Sequence, residues 1–258
     1  MKSNGLLILH CSYHKCLTKY FARVFESIYN INFLGIENYR HFNSYINEFY
    51  SSLDNYKALS VNNHSIDFDR IPRDYRLTRF VRDPRDLIVS GYFYHKRGAE
   101  DWCKIKAPTK ADWECVNGNI PSQMKPHESY FDYLNRVPIE AGLYAEIEFR
   151  KYHFASMTKW PTDNNKIMLI KYENLLGNEE QTFENIFDFF ELSLFKKRIG
   201  LRTASRLKAG TKFQKKSHLG EHMRTPVSGQ WKSIFSNNVK EKFERDHGDL
   251  IEYFGYDN

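Results

Sequence analysis

The sequence predicts an α/β fold: a three-layer, doubly wound, mainly parallel sheet with helices on its two faces, in a single domain spanning residues 1–258. Three observations predict it. Short apolar runs of strand length alternate with amphipathic helical stretches, with no internal repeat and no low-complexity linker between them. The first run, Gly5 to Cys11, passes through a short loop containing Lys15 directly into a helical pattern. A later run, Arg79-Phe80-Val81, ends on Arg82 and turns into a helix whose start is marked by Asp83 and Pro84.

Taken in order, Gly5 to Cys11 is a buried strand, and Thr18 to Ile28 is a helix with Phe21, Val24, Phe25 and Ile28 on one face. Strands follow at Asn32 to Ile36, Lys57 to Val61, Leu77 to Val81 and Lys166 to Tyr172. Helices are predicted over Pro84 to Lys96, Ser129 to Asn135, Ile139 to Lys159, Glu179 to Phe190 and Asn237 to Phe254. The stretch Gly98 to Lys125, with Trp102, Trp113, two cysteines and two prolines, has no clear period. It reads as a long loop over the site, where ligand specificity would reside.

Composition narrows the function classes. A chain of 258 residues with 41% hydrophobic and 16% aromatic content buries one large core, which argues against disorder. The net charge of +6 and pI near 8.9 suit an anionic ligand but are too diffuse to argue for nucleic acid. The apolar run Leu6 to Leu9 is shorter than the roughly 7–15 residues of a signal-peptide core, and no run approaches the ~20 residues of a membrane span. A soluble, cytoplasmic protein is expected. The four cysteines show no Cys-x-x-Cys pair, so reduced thiols are expected rather than a disulfide framework.

Three segments carry chemistry. In His10-Cys11-Ser12-Tyr13-His14-Lys15-Cys16-Leu17-Thr18-Lys19-Tyr20, a strand, loop and helix arrangement points backbone N–H groups at an anion while lysine adds charge. The pattern of a Walker A loop is absent. The cluster His10, Cys11, His14 and Cys16 fits no common zinc spacing, and no metal is expected. His64 follows the strand Lys57 to Val61 at its carboxyl end, and neutral imidazole accepts a proton near pH 7. In the run Arg82 to Tyr92, a guanidinium fork and the Ser90 hydroxyl two turns into the helix grip a phosphate from two sides.

These segments resemble the cytosolic-type sulfotransferase family, whose fold is like that of the P-loop nucleotide-binding proteins. Arg82-Asp83-Pro84-Arg85-Asp86, with Ser90 and Tyr92, is similar to the family's 3′-phosphate segment Arg-Asn/Asp-Pro-(Lys/Arg)-Asp-(three residues)-Ser-x-Tyr. Residues 14–20 resemble its 5′-phosphosulfate loop, Pro-Lys-Ser-Gly-Thr-Thr-Trp, with Lys15, Thr18 and Tyr20 on the lysine, first threonine and tryptophan. Cys16, Leu17 and Lys19 replace serine, glycine and the second threonine, and a leucine does not take a positive φ cheaply. His64 matches the histidine of the family's Lys-Thr-His, its general base, while Asn62 stands where a second lysine is frequent.

Later matches extend the likeness over nearly the whole chain. Tyr172-Glu173-Asn174-Leu175 resembles the family's Tyr-Glu-Asp/Asn-Leu, whose tyrosine lies near the adenine, and Thr203 to Lys208 resembles a degenerate adenine contact. There Ala204 replaces a stacking phenylalanine, which leaves the stacking to Tyr20. Arg224-Thr225-Pro226, leading to Gly229-Gln230-Trp231-Lys232, is similar to the segment that closes over the 3′-phosphate, so residues 200–232 are expected to close on the cofactor.

The resemblance implies transfer of a sulfuryl group from 3′-phosphoadenosine 5′-phosphosulfate (PAPS, leaving PAP) to a small-molecule or glycan hydroxyl or amine. His64 and Lys15 would be catalytic. Residues Lys15, Cys16, Leu17, Thr18, Lys19, Tyr20, Arg82, Ser90, Tyr172, Thr203, Arg224 and Thr225 would bind the cofactor, with no metal and no nucleic-acid partner. Two other readings stand beside it: a P-loop nucleotide kinase, and a non-enzymatic nucleotide or nucleic-acid binding module. The family's dimerisation motif is half present, with Lys232 and Glu241 in register but Ser236 and Asn237 replacing threonine and valine, so quaternary structure is open.

Overall fold

The structure, a computed structural model, describes residues 5–31, 34–208 and 227–257. Its elements run β1 (Leu7–Ser12), α1 (Thr18–Tyr29), β2 (Asn30–Ile31), β3 (Ile36–Glu37), β4 (Tyr39–His41), α2 (Ile46–Ser51), β5 (Ala58–Asn62), β6 (Tyr75–Val81) and α3 (Pro84–Lys96). Then follow α4 (Tyr130–Arg136), α5 (Ile139–Phe149), α6 (Lys151–Met157), β7 (Ile167–Lys171), α7 (Tyr172–Leu175), α8 (Glu179–Phe189) and α9 (Leu194–Leu207). The chain closes with α10 (Trp231–Ile234), α11 (Asn237–His247) and α12 (Asp249–Phe254).

Five strands form one parallel sheet in the order β4-β5-β1-β6-β7, flanked by helices. All six residues of β1 are buried, as a central parallel strand covered on both faces requires. From β1 the chain travels to the β4 edge, returns to β5 beside β1, then crosses to β6 on β1's other side. Strand order therefore reverses at β1, and the carboxyl end of β1 is where a doubly wound sheet holds its ligand.

The chain divides into two compact units. One, residues 1–81 and 161–226, contains all strands of the described residues together with α1, α2, α7, α8 and α9. Its core stacks Phe25 on Phe21, and Phe21 on His10 of β1. The other, residues 82–160 and 227–258, is helical. At its centre Trp102 stacks on Phe149 at 5.3 Å, with Trp113 packed edge-on to both rings and Tyr130 stacked beside them.

Four expectations are corrected. Of the strand predicted over residues 32–36, residues 32 and 33 lie outside the described residues; Ile31 pairs antiparallel with Ile36, Gly35 takes φ +65°, and the sheet edge is Tyr39–His41. The helix predicted over residues 139–159 divides at Arg150, and the terminal helix divides at Gly248, where a Cβ would sit 2.5 Å from the Glu244 carbonyl oxygen. Helices α2 and α9 carry no clear signal in the sequence reading. The stretch Gly98 to Lys125 is no open loop: it contains two short 3₁₀ turns, and Trp102, Cys103 and Trp113 are buried in the core.

Candidate active site

The loop Tyr13 to Leu17 carries the chain from β1 into α1. Lys15 (φ 74°) and Leu17 (φ 57°) both lie in the left-handed region, and no side chain caps the start of α1. A loop with left-handed residues spaced in this way, running into the positive end of a helix, can form an anion-binding nest. A leucine held left-handed costs about 1–2 kcal/mol. The loop is tied down by Cys16 N–H donating to the Tyr13 carbonyl (2.8 Å) and by His14 N–H donating to Asn63 Oδ1 (2.7 Å).

Asn63 is itself buried and left-handed (φ 61°), and its Nδ2 donates to Ser44 Oγ at 2.9 Å. One asparagine thus fastens the anion loop to the end of β5, beside His64. The His64 ring is half-buried, and its Nε2–H donates to the Ser44 carbonyl at 2.8 Å. Successive residues of β1 face opposite sides of the sheet. His10 accordingly hydrogen-bonds Thr78 through Nδ1 (2.9 Å), whereas Cys11 donates to the His64 carbonyl. Burial pushes the Cys11 thiol up to about 12, so it is no nucleophile.

In the helical unit, Arg82 directly follows β6 in the chain and is 4% exposed. Asp83 caps α3 by accepting Arg85 N–H (2.9 Å), and it pairs with the Arg85 guanidinium. That guanidinium lies 3.8 Å from the Trp231 ring centroid. Asp86, fully buried, accepts N–H groups from Gly229 (2.6 Å) and Trp231 (3.1 Å), with Arg82 Nη2 3.7 Å away. Arg82 Nη2 also donates to the Val227 carbonyl (3.2 Å). The first turn of α3 therefore holds residues 227–231 in place. Half-buried Ser90 follows two turns on, next to Gly91, where a Cβ would sit 1.9 Å from Glu146 Oε1.

A sulfotransferase-domain profile matches residues 73–254, a span that includes Arg82, Asp86, Ser90 and Tyr172. The chain belongs to the sulfotransferase-domain family. No curated protein matches it by sequence. Among solved structures it is similar to mouse sulfotransferase SULT7A1 complexed with PAP (14% identity, TM-score 0.52, covering 93% of this chain and 82% of that one). It is also similar to retinol dehydratase in complex with androsterone and the inactive cofactor PAP (15%, TM-score 0.52, 97% and 82%) and with retinol and PAP (16%, TM-score 0.52, 97% and 83%).

This sulfotransferase brings Lys15, Cys16, Leu17 and Thr18 together in the nest, with Lys19 exposed at the first turn of α1. The Lys15 loop and His64 precede the profile's span, so they stand on their place in the fold: both follow the carboxyl ends of adjacent strands. Tyr172 is buried where β7 meets α7. Tyr20 is no open stacking face, since it is buried against Phe183 (5.2 Å between centroids) with its hydroxyl donating to the Ala204 carbonyl (2.8 Å). Thr203 lies inside α9 and donates to its own helix at Ile199 (3.1 Å) rather than opening onto a loop. Arg224 and Thr225 lie outside the described residues. Sequence reasoning misses Asp86, legible only as a dipole-compensating acid in the first turn, and Asn63, whose only signal is its place before His64.

Proposed function

We propose that this sulfotransferase uses PAPS and passes its sulfuryl group to a hydroxyl or amine of a small-molecule or glycan acceptor. One observation carries the reading: in a chain of this family, the loop at the strand-order reversal is a left-handed nest ending in an uncapped helix start and bearing Lys15 and Thr18. Such a donor set fits the 5′-phosphosulfate end of the nucleotide, because N–H groups, an ammonium and a hydroxyl meet oxyanions. The PAP named with the similar structures supports the same nucleotide.

His64 takes the acceptor's proton, with its ring held by the Ser44 carbonyl. The acceptor oxygen forms a bond to sulfur as the bond from sulfur to the bridging phosphate oxygen breaks, and Lys15 offsets the charge that grows there. Arg82 and Ser90 hold the 3′-phosphate. The exposed residues of the stretch Gly98 to Lys125 set acceptor selectivity, since its tryptophans are committed to the core. None of the described thiols is in a disulfide, which suits a reducing cytoplasm.

Calorimetric titration tests the nucleotide. Adenosine 3′,5′-bisphosphate is expected to bind far better than adenosine 5′-monophosphate, and Arg82→Ala is expected to weaken the bisphosphate by about 1.5–3 kcal/mol while leaving the monophosphate unchanged. Equal affinities for the two nucleotides would remove the 3′-phosphate assignment.

A further inference from the structure

A continuous chain of neutral polar groups crosses the sheet behind the anion loop. Ser12 of β1 is the register partner of Asn62 on β5, and Ser60, two residues back on the same face, is the partner of His41 on β4. Thr18 Oγ1 lies 2.8 Å from Ser12 Oγ, which donates to Asn62 Oδ1 at 2.8 Å. Asn62 Nδ2 reaches His41 Nε2 at 3.5 Å, His41 Nδ1 meets Ser60 Oγ at 2.8 Å, and Ser60 Oγ meets the buried Tyr39 hydroxyl at 2.6 Å. Six side chains thereby link the deepest part of the sheet edge to the first residue of α1.

Such a chain has a direction. Ser12 has one proton and gives it to Asn62, so the contact with Thr18 is made by the Thr18 proton, which points inward. The Asn62 amide donates to His41 Nε2, which puts the ring proton on Nδ1, toward Ser60. Turning the amide over reverses every bond: Asn62 Nδ2 donates to Ser12, Ser12 donates to Thr18, and the Thr18 proton is released toward the loop. At the other end the part-exposed His41 ring changes tautomer by exchange with solvent, giving its Nδ1 proton to water and taking one from water on Nε2 to serve Asn62 Oδ1, while Nδ1 accepts from Ser60. The number of protons and of hydrogen bonds is the same in both directions. The reversal needs a neutral His41, and burial with the charge of Lys19 lowers that ring to about 3.

We propose that His41 and Asn62 are positioning residues for the anion loop: their relay sets which way Thr18 points its proton, and an anion in the nest selects the outward direction. This rests on the reading of that loop as the 5′-phosphosulfate site. Nothing in the sequence resemblance assigns His41, and Asn62 enters it only as a missing lysine; the relay gives Asn62 a task of its own.

The ring tautomer reports the direction, and the 13Cδ2 shift of His41 in a labelled chain reads it directly. His41 is expected as the Nδ1–H tautomer alone and as the Nε2–H tautomer when saturated with adenosine 3′,5′-bisphosphate or with inorganic pyrophosphate. Bisphosphate binding with no change of tautomer overturns the relay and leaves the nucleotide reading intact, whereas a chain that binds neither probe overturns both. A double-mutant cycle supplies the second measurement. Asn62→Asp, whose oxygens can only accept, holds the Thr18 proton inward and is expected to weaken bisphosphate binding about 10-fold, but only about 2-fold in a Thr18→Val background. The same loss in both backgrounds would mean that the new charge acts alone, and the proposal fails.

Discussion

The two regions proposed to meet the nucleotide's anions are built by opposite means. The loop after β1 relies on backbone: left-handed Lys15 and Leu17, an uncapped helix, and neutral amides and hydroxyls from Asn63, Asn62 and Ser12. The start of α3 relies on charge: Arg82 with Asp86, Arg85 with Asp83, and two backbone N–H groups gathered by one buried carboxylate. A neutral scaffold can reverse its hydrogen bonds at little cost. A buried ionic one holds a single arrangement, since removing either partner strands a charge. In the proposed site the loop therefore adapts to a reacting group while the helix start serves as a fixed clamp.

The largest expected effect lies beside the neutral scaffold. His64→Ala is expected to lower turnover by about 10²–10⁴-fold with bisphosphate affinity nearly intact, whereas Lys15→Ala damages both, and steady-state kinetics paired with calorimetry separates them. Full turnover in His64→Ala would move the base elsewhere.

Next comes the ionic knot. Asp86→Ala is expected to cost about 3–5 kcal/mol of stability, because Arg82 and the N–H groups of Gly229 and Trp231 lose their shared acceptor. Asn63→Ala, at the corresponding point of the neutral loop, is expected to cost about 1–3 kcal/mol. Urea unfolding of both variants measures the contrast, and equal losses would erase it.

Acid sharpens the neutral side further. His41 titrates at about 3 in the folded chain, and His10 is also lowered, first by burial and then by the charge of His41. The unfolded chain therefore takes up protons below about pH 6.5 that the folded chain refuses, so stability falls as pH falls. His41 alone is expected to remove about 1.4 kcal/mol per pH unit between pH 6.5 and 5. A His41→Gln chain should show a shallower slope in urea unfolding at the same pH values, and an unchanged slope would deny that the ring is held neutral.

The smallest effect concerns backbone strain. Leu17→Gly is expected to raise the melting midpoint, by at most about 1 kcal/mol of stability, since relief of the left-handed leucine is partly offset by the entropy of glycine. A lowered midpoint would show that the packing of the Leu17 side chain outweighs its strain.

What the sequence determined by itself was local. Strands β1, β5, β6 and β7 and helices α1, α3, α4 and α8 were legible because hydrophobic period, Asp83 with Pro84, and short apolar runs are written within a few residues. The order of Lys15, His64 and Arg82 along the chain was legible for the same reason. Tertiary structure decided the rest. Leu17 took a turn its residue type disfavours because the bonds from Cys16 to Tyr13 and from His14 to Asn63 fix the loop just before it. Trp102 and Trp113 went to the core because Phe149 and Tyr130, distant in sequence, offered rings to pack on. Asp86 became an anchor for residues 227–231, and Ser12, Asn62 and His41 became one chain of hydrogen bonds, only when segments far apart in the sequence met. A buried polar group takes its role from the partner that satisfies it, and no local pattern names a partner that lies tens of residues away.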